Sequence, residues 1–236
     1  MASARTATVV DARLVGPFAR VLELELPAGE EMGFVGGQYI IVNSGVVLPG
    51  GKLAKRAYSL VSTDAEQRRV RIAVKRLAGG PGSGFMHEVP VGAEVAFSGP
   101  WGSFVPTPED TPSFVLATDT GITAALGLVR GLGFAARRAR TQLVWATDTL
   151  DYFVPEAWLH ELGVAARMMI LGRERVEMAV ALAFEQHARE PFEDAWLCGD
   201  GKLIYPVRDA LLAAGLDESR IRLEAFFNNP NKKAPA

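Results

Sequence analysis

A chain of 236 residues, 49% of them apolar, carries material for one large core or two ordinary ones, and its length favours two domains. The formal net charge of -2, with acids and bases interspersed, excludes a global electrostatic signal for nucleic acid or an anionic membrane, so a charged partner has to be read by a local patch. A single cysteine, Cys198, excludes an intramolecular disulfide and a four-cysteine iron-sulfur cluster, and the histidines His87, His160 and His187 lack paired metal-ligand spacing, so no metal is expected. The stretch Met1 to Val10 holds one arginine and no long apolar run, and no later segment reaches the length of a bilayer span; a cytoplasmic protein is expected.

From about Thr6 to Val105 short β-branched or alternating runs, such as Arg20 to Leu26, Tyr39 to Val42 and Arg69 to Val74, are broken by Gly, Pro and Asp turns. Closely spaced strands of this kind predict an antiparallel β-barrel or sandwich, taken here as a barrel. One short helix is predicted around Phe85-Met86-His87-Glu88, with Ser83 as its N-cap. The stretch Pro106 to Pro112, with three prolines and two acids, has linker chemistry and sets the boundary between domains 1–108 and 109–236.

Beyond the linker, apolar strand candidates alternate with helical patterns: Ser113 to Ala117, Ile122 to Gly131, Gln142 to Ala146, Pro155 to Leu162, Met168 to Leu171, Glu177 to Ala188, Ala195 to Cys198, Leu203 to Ala214 and Ile221 to Phe227. Strand, helix, strand, helix predicts an α/β domain with a doubly wound parallel sheet. Ligands of such sheets sit outside the carboxyl ends of the strands, which makes the loops after Ala117, Ala146, Leu171 and Cys198 the candidate cleft.

Several segments carry chemistry. Arg56-Ala57-Tyr58-Ser59-Leu60 follows Phe34-Val35-Gly36-Gly37-Gln38-Tyr39; a guanidinium fork matches phosphate oxygens and an aromatic ring stacks on a flat heterocycle, although a strand with Tyr58 and Leu60 in the core and Arg56 outside has the same pattern. The turn Gly79-Gly80-Pro81-Gly82-Ser83-Gly84 leads into the short helix and offers N–H groups and a dipole to a pyrophosphate, or is a flexible hairpin tip. Ala117-Thr118-Asp119-Thr120-Gly121-Ile122 and Leu197-Cys198-Gly199-Asp200-Gly201-Lys202 both stand at a strand end before a helix.

In this order and spacing the motifs resemble the ferredoxin-NADP reductase superfamily over nearly the whole chain, with Gly99-Pro100-Trp101-Gly102-Ser103-Phe104 matching its closing barrel strand. The resemblance implies FAD as cofactor. Arg56 would neutralise flavin phosphate, Tyr58 would lie against the isoalloxazine ring beside Ala57, and Ser59 would hydrogen-bond near the reactive N5. Gly82, Ser83 and Gly84 would hold the diphosphate. Thr120 and Gly121 would form the loop for NADPH or NADH, with Cys198, Gly199 and Asp200 beside the nicotinamide, and Glu224 and Phe226 of the last strand would line the flavin. Ser59, Cys198 and Glu224 are thus the residues expected around hydride transfer, which passes between two rings and needs no protein nucleophile.

The chain departs from the family at three points. Gly36 replaces a proline, Asp119 stands in a glycine-rich nucleotide turn where a carboxylate repels phosphate unless it points away or caps the helix, and Gly172 replaces a serine. Arg173 and Arg175 stand where NADPH-using relatives pair with the 2'-phosphate, while Asp148 and Asp151 suit a free ribose hydroxyl; the balance leans slightly to NADPH. The implied activity is hydride transfer between NAD(P)H and FAD, with single electrons passed to or from a separate ferredoxin or flavodoxin-like protein. A free-flavin reductase and a non-catalytic flavoprotein subunit are the alternatives. Lys232 and Lys233 would either help dock an acidic ferredoxin or form a solvated tail.

Overall fold

The computed structural model describes residues 4–149 and 153–230, so Asp151, Lys232 and Lys233 lie outside the described residues. The N-terminal half folds as strands β1 (Arg5–Val15), β2 (Ala19–Glu25), β3 (Tyr39–Val47), β4 (Leu53–Ser59), β5 (Arg69–Lys75) and β6 (Glu94–Trp101), with helix α1 (Pro81–Glu88) between the last two. Their order is β4-β3-β6-β1-β2-β5, every pair antiparallel. The Val61 amide, just past β4, donates to the Arg71 carbonyl of β5 at 2.9 Å, which brings the two edges together and makes the sheet barrel-like. Alternation does the sorting: Val70, Ile72 and Val74 of β5 and Leu22 and Leu24 of β2 are fully buried in one cluster with Ile40, Val42, Val95 and Met86 of α1.

The C-terminal half contains β7 (Ser113–Thr118), α2 (Ile122–Arg130), β8 (Thr141–Thr147), α3 (Ala157–His160), β9 (Ala165–Ile170), α4 (Arg175–Arg189), β10 (Asp194–Asp200), α5 (Gly201–Ala213) and β11 (Ile221–Phe227). The strands form one parallel sheet in the order β11-β10-β7-β8-β9. All residues of β7, β8 and β10 are buried, as their position between helical layers requires. One face packs under α4 and α5 through Leu182, Leu203 and Val207; the other packs under α2 and against the barrel, where Val21, Val61, Ala73 and Phe104 join Val115, Leu128 and Trp145 in one cluster.

The expected helix over Pro155 to Leu162 is only the single turn α3, and the expected strand from Met168 starts earlier, at Ala165. A 3-10 stretch over Leu132–Arg140 was not foreseen. It buries Arg137, whose guanidinium reaches Asp194 Oδ2 at 3.4 Å and the Thr107 carbonyl at 2.8 Å. Asp194 also accepts from Arg220 and from the Thr111 hydroxyl. Through these contacts, and a 3.1 Å bond from Trp196 Nε1 to the Val105 carbonyl, the proline-rich segment lies pinned along the parallel sheet.

The seam between the halves is a crossing of glycines. A Cβ on Gly36 would stand 2.5 Å from the Gly127 carbonyl oxygen, so α2 approaches the barrel backbone directly. The Gly36 amide donates to Asp64 Oδ2 at 2.9 Å, and Asp64 Oδ1 accepts from Leu132 N at 2.7 Å. Proline at position 36 would lose that amide, which gives the departure from the family pattern a physical reason. Arg130 completes the seam by donating to the Val61 carbonyl at 2.7 Å and lying 4.6 Å over the Trp158 ring. Burial lowers its guanidinium pKa to about 10.

Candidate active site

A cavity of about 300 Å³ opens where the barrel meets the carboxyl ends of the parallel strands. Arg56, Ala57, Tyr58 and Ser59 of β4 and Ala73 and Lys75 of β5 form its barrel wall; Asp119, Thr120, Thr123, Phe153, Phe226 and Phe227 face them. Arg56 and Tyr58 stand two residues apart and so share one face of β4. The Tyr58 hydroxyl is buried with no hydrogen-bond partner among the described residues. Burial, opposed in part by Arg56, pushes its phenol up to about 12. A buried polar atom left this way costs roughly 1–3 kcal/mol, which a ligand acceptor in the cavity would recover.

The glycine-rich turn is built differently from the expectation. Helix α1 starts at Pro81 with Gly80 as its N-cap, because proline is pre-set for the first helical position, so Gly82, Ser83 and Gly84 lie inside the first turn. Ser83 is therefore not the N-cap; its hydroxyl accepts from Leu77 N at 3.1 Å and donates to the Gly80 carbonyl at 3.0 Å, shaping the turn. The Gly84 amide is already bonded to the Gly80 carbonyl at 2.9 Å, which leaves the amides of Gly82 and Ser83 at the helix end. A Cβ on Gly82 would stand 2.8 Å from Arg56 Cγ, so the missing side chain is what lets Arg56 cross the turn. The aliphatic stem of Arg56 thereby packs at the helix N-terminus, while its guanidinium donates to the Lys55 carbonyl at 2.8 Å.

On the facing side, two turns interlock. A Cβ on Gly121 would stand 2.4 Å from the Cys198 carbonyl oxygen, and one on Gly199 would stand 2.3 Å from that of Thr118. Beneath them Cys198 is fully buried, its thiol donating to the Gly121 carbonyl at 3.3 Å, and it lines neither this cavity nor the one next to it. Burial, then Glu224, holds that thiol well above its usual range. Asp200 caps α5 by accepting from Lys202 N at 3.0 Å and also accepts from Asn228 Nδ2 at 2.8 Å, so its carboxylate is committed to the turn. Glu224 pairs in register with Cys198 on the neighbouring strand and, after burial, raises the pKa of Tyr39 as well. Phe226 lies at the cavity, 36% exposed.

Asp119 neither caps α2 nor points into solvent. Its backbone sits at φ 48°, a left-handed conformation that Asp tolerates, and its carboxylate meets Arg175 Nη2 at 3.2 Å. Arg175 Nε also lies 2.9 Å from Asp148 Oδ1, so this arginine is ion-paired twice, while Arg173 is exposed. Burial, then Asp148, raises the Asp119 pKa; Arg175 and Lys75 oppose them. A second cavity of about 280 Å³ shares Lys75, Asp119, Thr120 and Phe153 with the first and runs on to Trp145, Thr147 and Thr149 at the end of β8. Among the described residues no group of three or more His, Cys, Asp or Glu could hold a metal ion, and no helix is long and apolar enough to cross a membrane.

A family model described as an oxidoreductase FAD-binding domain matches residues 6–105. "Ferredoxin--NADP reductase B" of Sorangium cellulosum is 38% identical over 178 residues, which are 75% of this chain and 69% of that protein. The chain belongs to the ferredoxin-NADP reductase family. It is an FAD-dependent NAD(P)H oxidoreductase. The ferredoxin reductase component of 3-ketosteroid-9-alpha-monooxygenase from Mycolicibacterium smegmatis is 27% identical over 221 residues, and the match spans 88% of this reductase and 61% of that component. The solved structure of phthalate dioxygenase reductase superposes with a TM-score of 0.71 at 23% identity, over 94% of this reductase and 68% of that chain, and shows the same fold.

The residues present fit FAD. The orphaned Tyr58 hydroxyl, the Gly82 notch under Arg56 and the helix end beside it supply an aromatic wall, an unmet donor and a diphosphate cradle along one edge of the cavity. Lys75, Thr123, Phe153 and Phe227 also line it, and the sequence reading missed them. Lys75 ends a strand whose alternation was recognised, so its face was open to inference; Phe153 and Thr123 carry no local signal.

Proposed function

We propose that the chain is the reductase of an electron-transfer pair, taking hydride from a nicotinamide nucleotide and delivering single electrons to a separate ferredoxin-like, flavodoxin-like or oxygenase partner. The observation that carries this reading is the two-walled cavity, with Arg56 to Ser59 on one side and Thr120, Thr123 and Phe226 on the other. Bound FAD would supply the hydride acceptor and the conversion from paired to single electrons. Arg56 and the amides of Gly82 and Ser83 would hold its diphosphate, Tyr58 would pack on the ring system and donate its hydroxyl, and buried Ser59 would offer a hydroxyl at the same wall. Thr120 and the second cavity receive the nucleotide, with its diphosphate near the Gly121 turn. Gly121, Gly199, Cys198 and Asp200 hold the two turns together, so they act by positioning. Phe226 and Phe227, which line the cavity from the last strand, would shield the ring from water.

The matches cover 69% and 61% of the two curated proteins above. The partner is proposed as external because Cys198, the single cysteine of this sequence, cannot by itself ligate a cluster. The test is a visible spectrum of purified protein followed by anaerobic titration with NADH and NADPH. Flavin absorbance that co-elutes with the protein and bleaches with either nucleotide supports the reading, and a colourless protein that neither binds FAD nor oxidises either nucleotide refutes it. Flavin that binds but elutes apart would mark a free-flavin reductase instead.

A further inference from the structure

The loops after β7, β8 and β9 meet in one ion cluster at the edge of the second cavity. Arg175, from the start of α4, lies 3.2 Å from Asp119 and 2.9 Å from Asp148, and the three side chains are 31%, 17% and 51% exposed respectively. Asp119 directly follows β7 and Asp148 directly follows β8. The sheet order β11-β10-β7-β8-β9 reverses between β7 and β10, so the switch-point crevice lies between their carboxyl ends, with Asp119 on its β7 side and Asp148 at the end of the next strand outward.

We propose that the Asp119–Arg175–Asp148 cluster makes this reductase select NADH over NADPH. The inference rests on the proposed function, in which a nicotinamide nucleotide lies along these strand ends. Two carboxylates and one guanidinium leave the cluster with a net charge of -1. Lys75, the other cation near Asp119, belongs to the barrel wall and lines the flavin cavity as well. An acidic side chain at the end of the second strand accepts a hydrogen bond from a ribose 2'-hydroxyl, whereas a 2'-phosphate needs an uncommitted arginine. Arg175 lies within ion-pair distance of both carboxylates, while Arg173, the other arginine of this loop, is exposed and lines neither cavity. The two nucleotides carry the same diphosphate, so its repulsion by Asp119 cancels from the comparison and only the 2'-substituent is discriminated. NADPH would bring a phosphate of about -1.5 to -2 charge against Asp148 and the already neutralised guanidinium. The Sorangium relative carries NADP in its name, so the proposal sets this chain apart from it.

The experiment uses the FAD-loaded protein, with equilibrium dissociation constants for NAD+ and NADP+ from flavin difference spectra, alongside kcat/KM for NADH and NADPH. The wild type is expected to favour NAD(H) by about tenfold or more, equivalent to about 1.4 kcal/mol. Asp148→Ser, at an exposed position, and Asp119→Asn, which keeps a residue suited to φ 48°, should each shift the NADP+ to NAD+ affinity ratio about tenfold towards NADP+. A wild type that prefers NADP(H), or a ratio unmoved in both variants while FAD content and circular dichroism stay native, overturns the proposal alone. A protein that binds neither nucleotide overturns the proposal together with the functional reading beneath it.

Discussion

Gly127 of α2 lies so close to the Leu60 carbonyl that a Cβ at position 127 would stand 2.1 Å from that oxygen. Leu60 directly follows the Arg56–Ser59 strand, so this contact braces the flavin wall from behind. The next atom met is the Gly37 amide nitrogen at 3.3 Å, and neither backbone can rotate away as a side chain would. Gly127→Ala is expected to push the two halves apart at a cost of about 1–3 kcal/mol, typical of an overpacked contact, and to weaken FAD retention. A thermal melt with a parallel measure of bound flavin checks it; an unchanged melting temperature at full flavin content would rule the brace out.

Tyr58→Phe separates packing from hydrogen bonding. The ring stays, and the variant removes a hydroxyl that has no partner among the described residues. Without FAD the variant should be as stable as the wild type or slightly more so, because a buried unmet donor is gone. FAD should bind about five- to tenfold more weakly, which is the loss of about 1 kcal/mol from one neutral hydrogen bond. Both readouts come from urea unfolding of the apoprotein and fluorescence titration of FAD, and an unchanged FAD affinity would show that the hydroxyl meets no acceptor on the flavin.

The fold was legible because its signals are periodic. Alternation in Arg69 to Val74 and continuous apolar runs such as Phe114 to Ala117 reflect burial on one face or on both, and those patterns survive in a single sequence. The nucleotide edge was less legible. Asp119 looked like an obstacle because its partner, Arg175, is 56 residues away and across two strands. Cys198 looked like an active-site wall because it ends a strand, yet its thiol turns under Gly121, a direction that spacing does not encode. Arg137 carried no signal at all, since a lone arginine in a basic stretch reads as solvated while its carboxylate partner lies 57 residues on.

That buried arginine makes a prediction remote from the chemistry. Arg137 and Asp194 are 2% and 0% exposed, at the sheet edge opposite the cavities, and Asp194 Oδ2 also accepts from Thr111 of the linking segment. Arg137→Met should cost up to about 3 kcal/mol, the low end for breaking a buried ion pair, because Asp194 keeps Arg220 at 3.5 Å and the Thr111 hydroxyl. Replacing both, as Arg137→Met with Asp194→Leu, should recover part of that loss. NADH oxidation per bound flavin should stay within about twofold for any variant that folds, because neither residue approaches the cavities. Chemical denaturation of the two variants decides this, and a double variant no more stable than the single one would refute the stranded-charge account.

Alkaline pH should unfold the protein by way of Cys198 and Tyr58. Both groups are raised in the folded state, Cys198 well above 9.0 and Tyr58 to about 12 from 10.0, because burial opposes their anions. The unfolded chain loses these protons at the ordinary values, so above them the folded state holds more protons than the unfolded one and stability falls as pH rises. The contribution is therefore complete below about pH 9, declines first through Cys198 and then, above about pH 10, through Tyr58 as well, by about 1.4 kcal/mol per pH unit for each group. Urea midpoints of the apoprotein at pH 8, 9 and 10 should drop in the wild type and drop less between pH 9 and 10 in Cys198→Ala. Native Cys198 should also react with a thiol reagent at pH 8 only at the rate of unfolding, since its thiol is both protonated and enclosed. Parallel pH curves for the two proteins, together with fast labelling of the native state, would mean that Cys198 reaches the cleft after all.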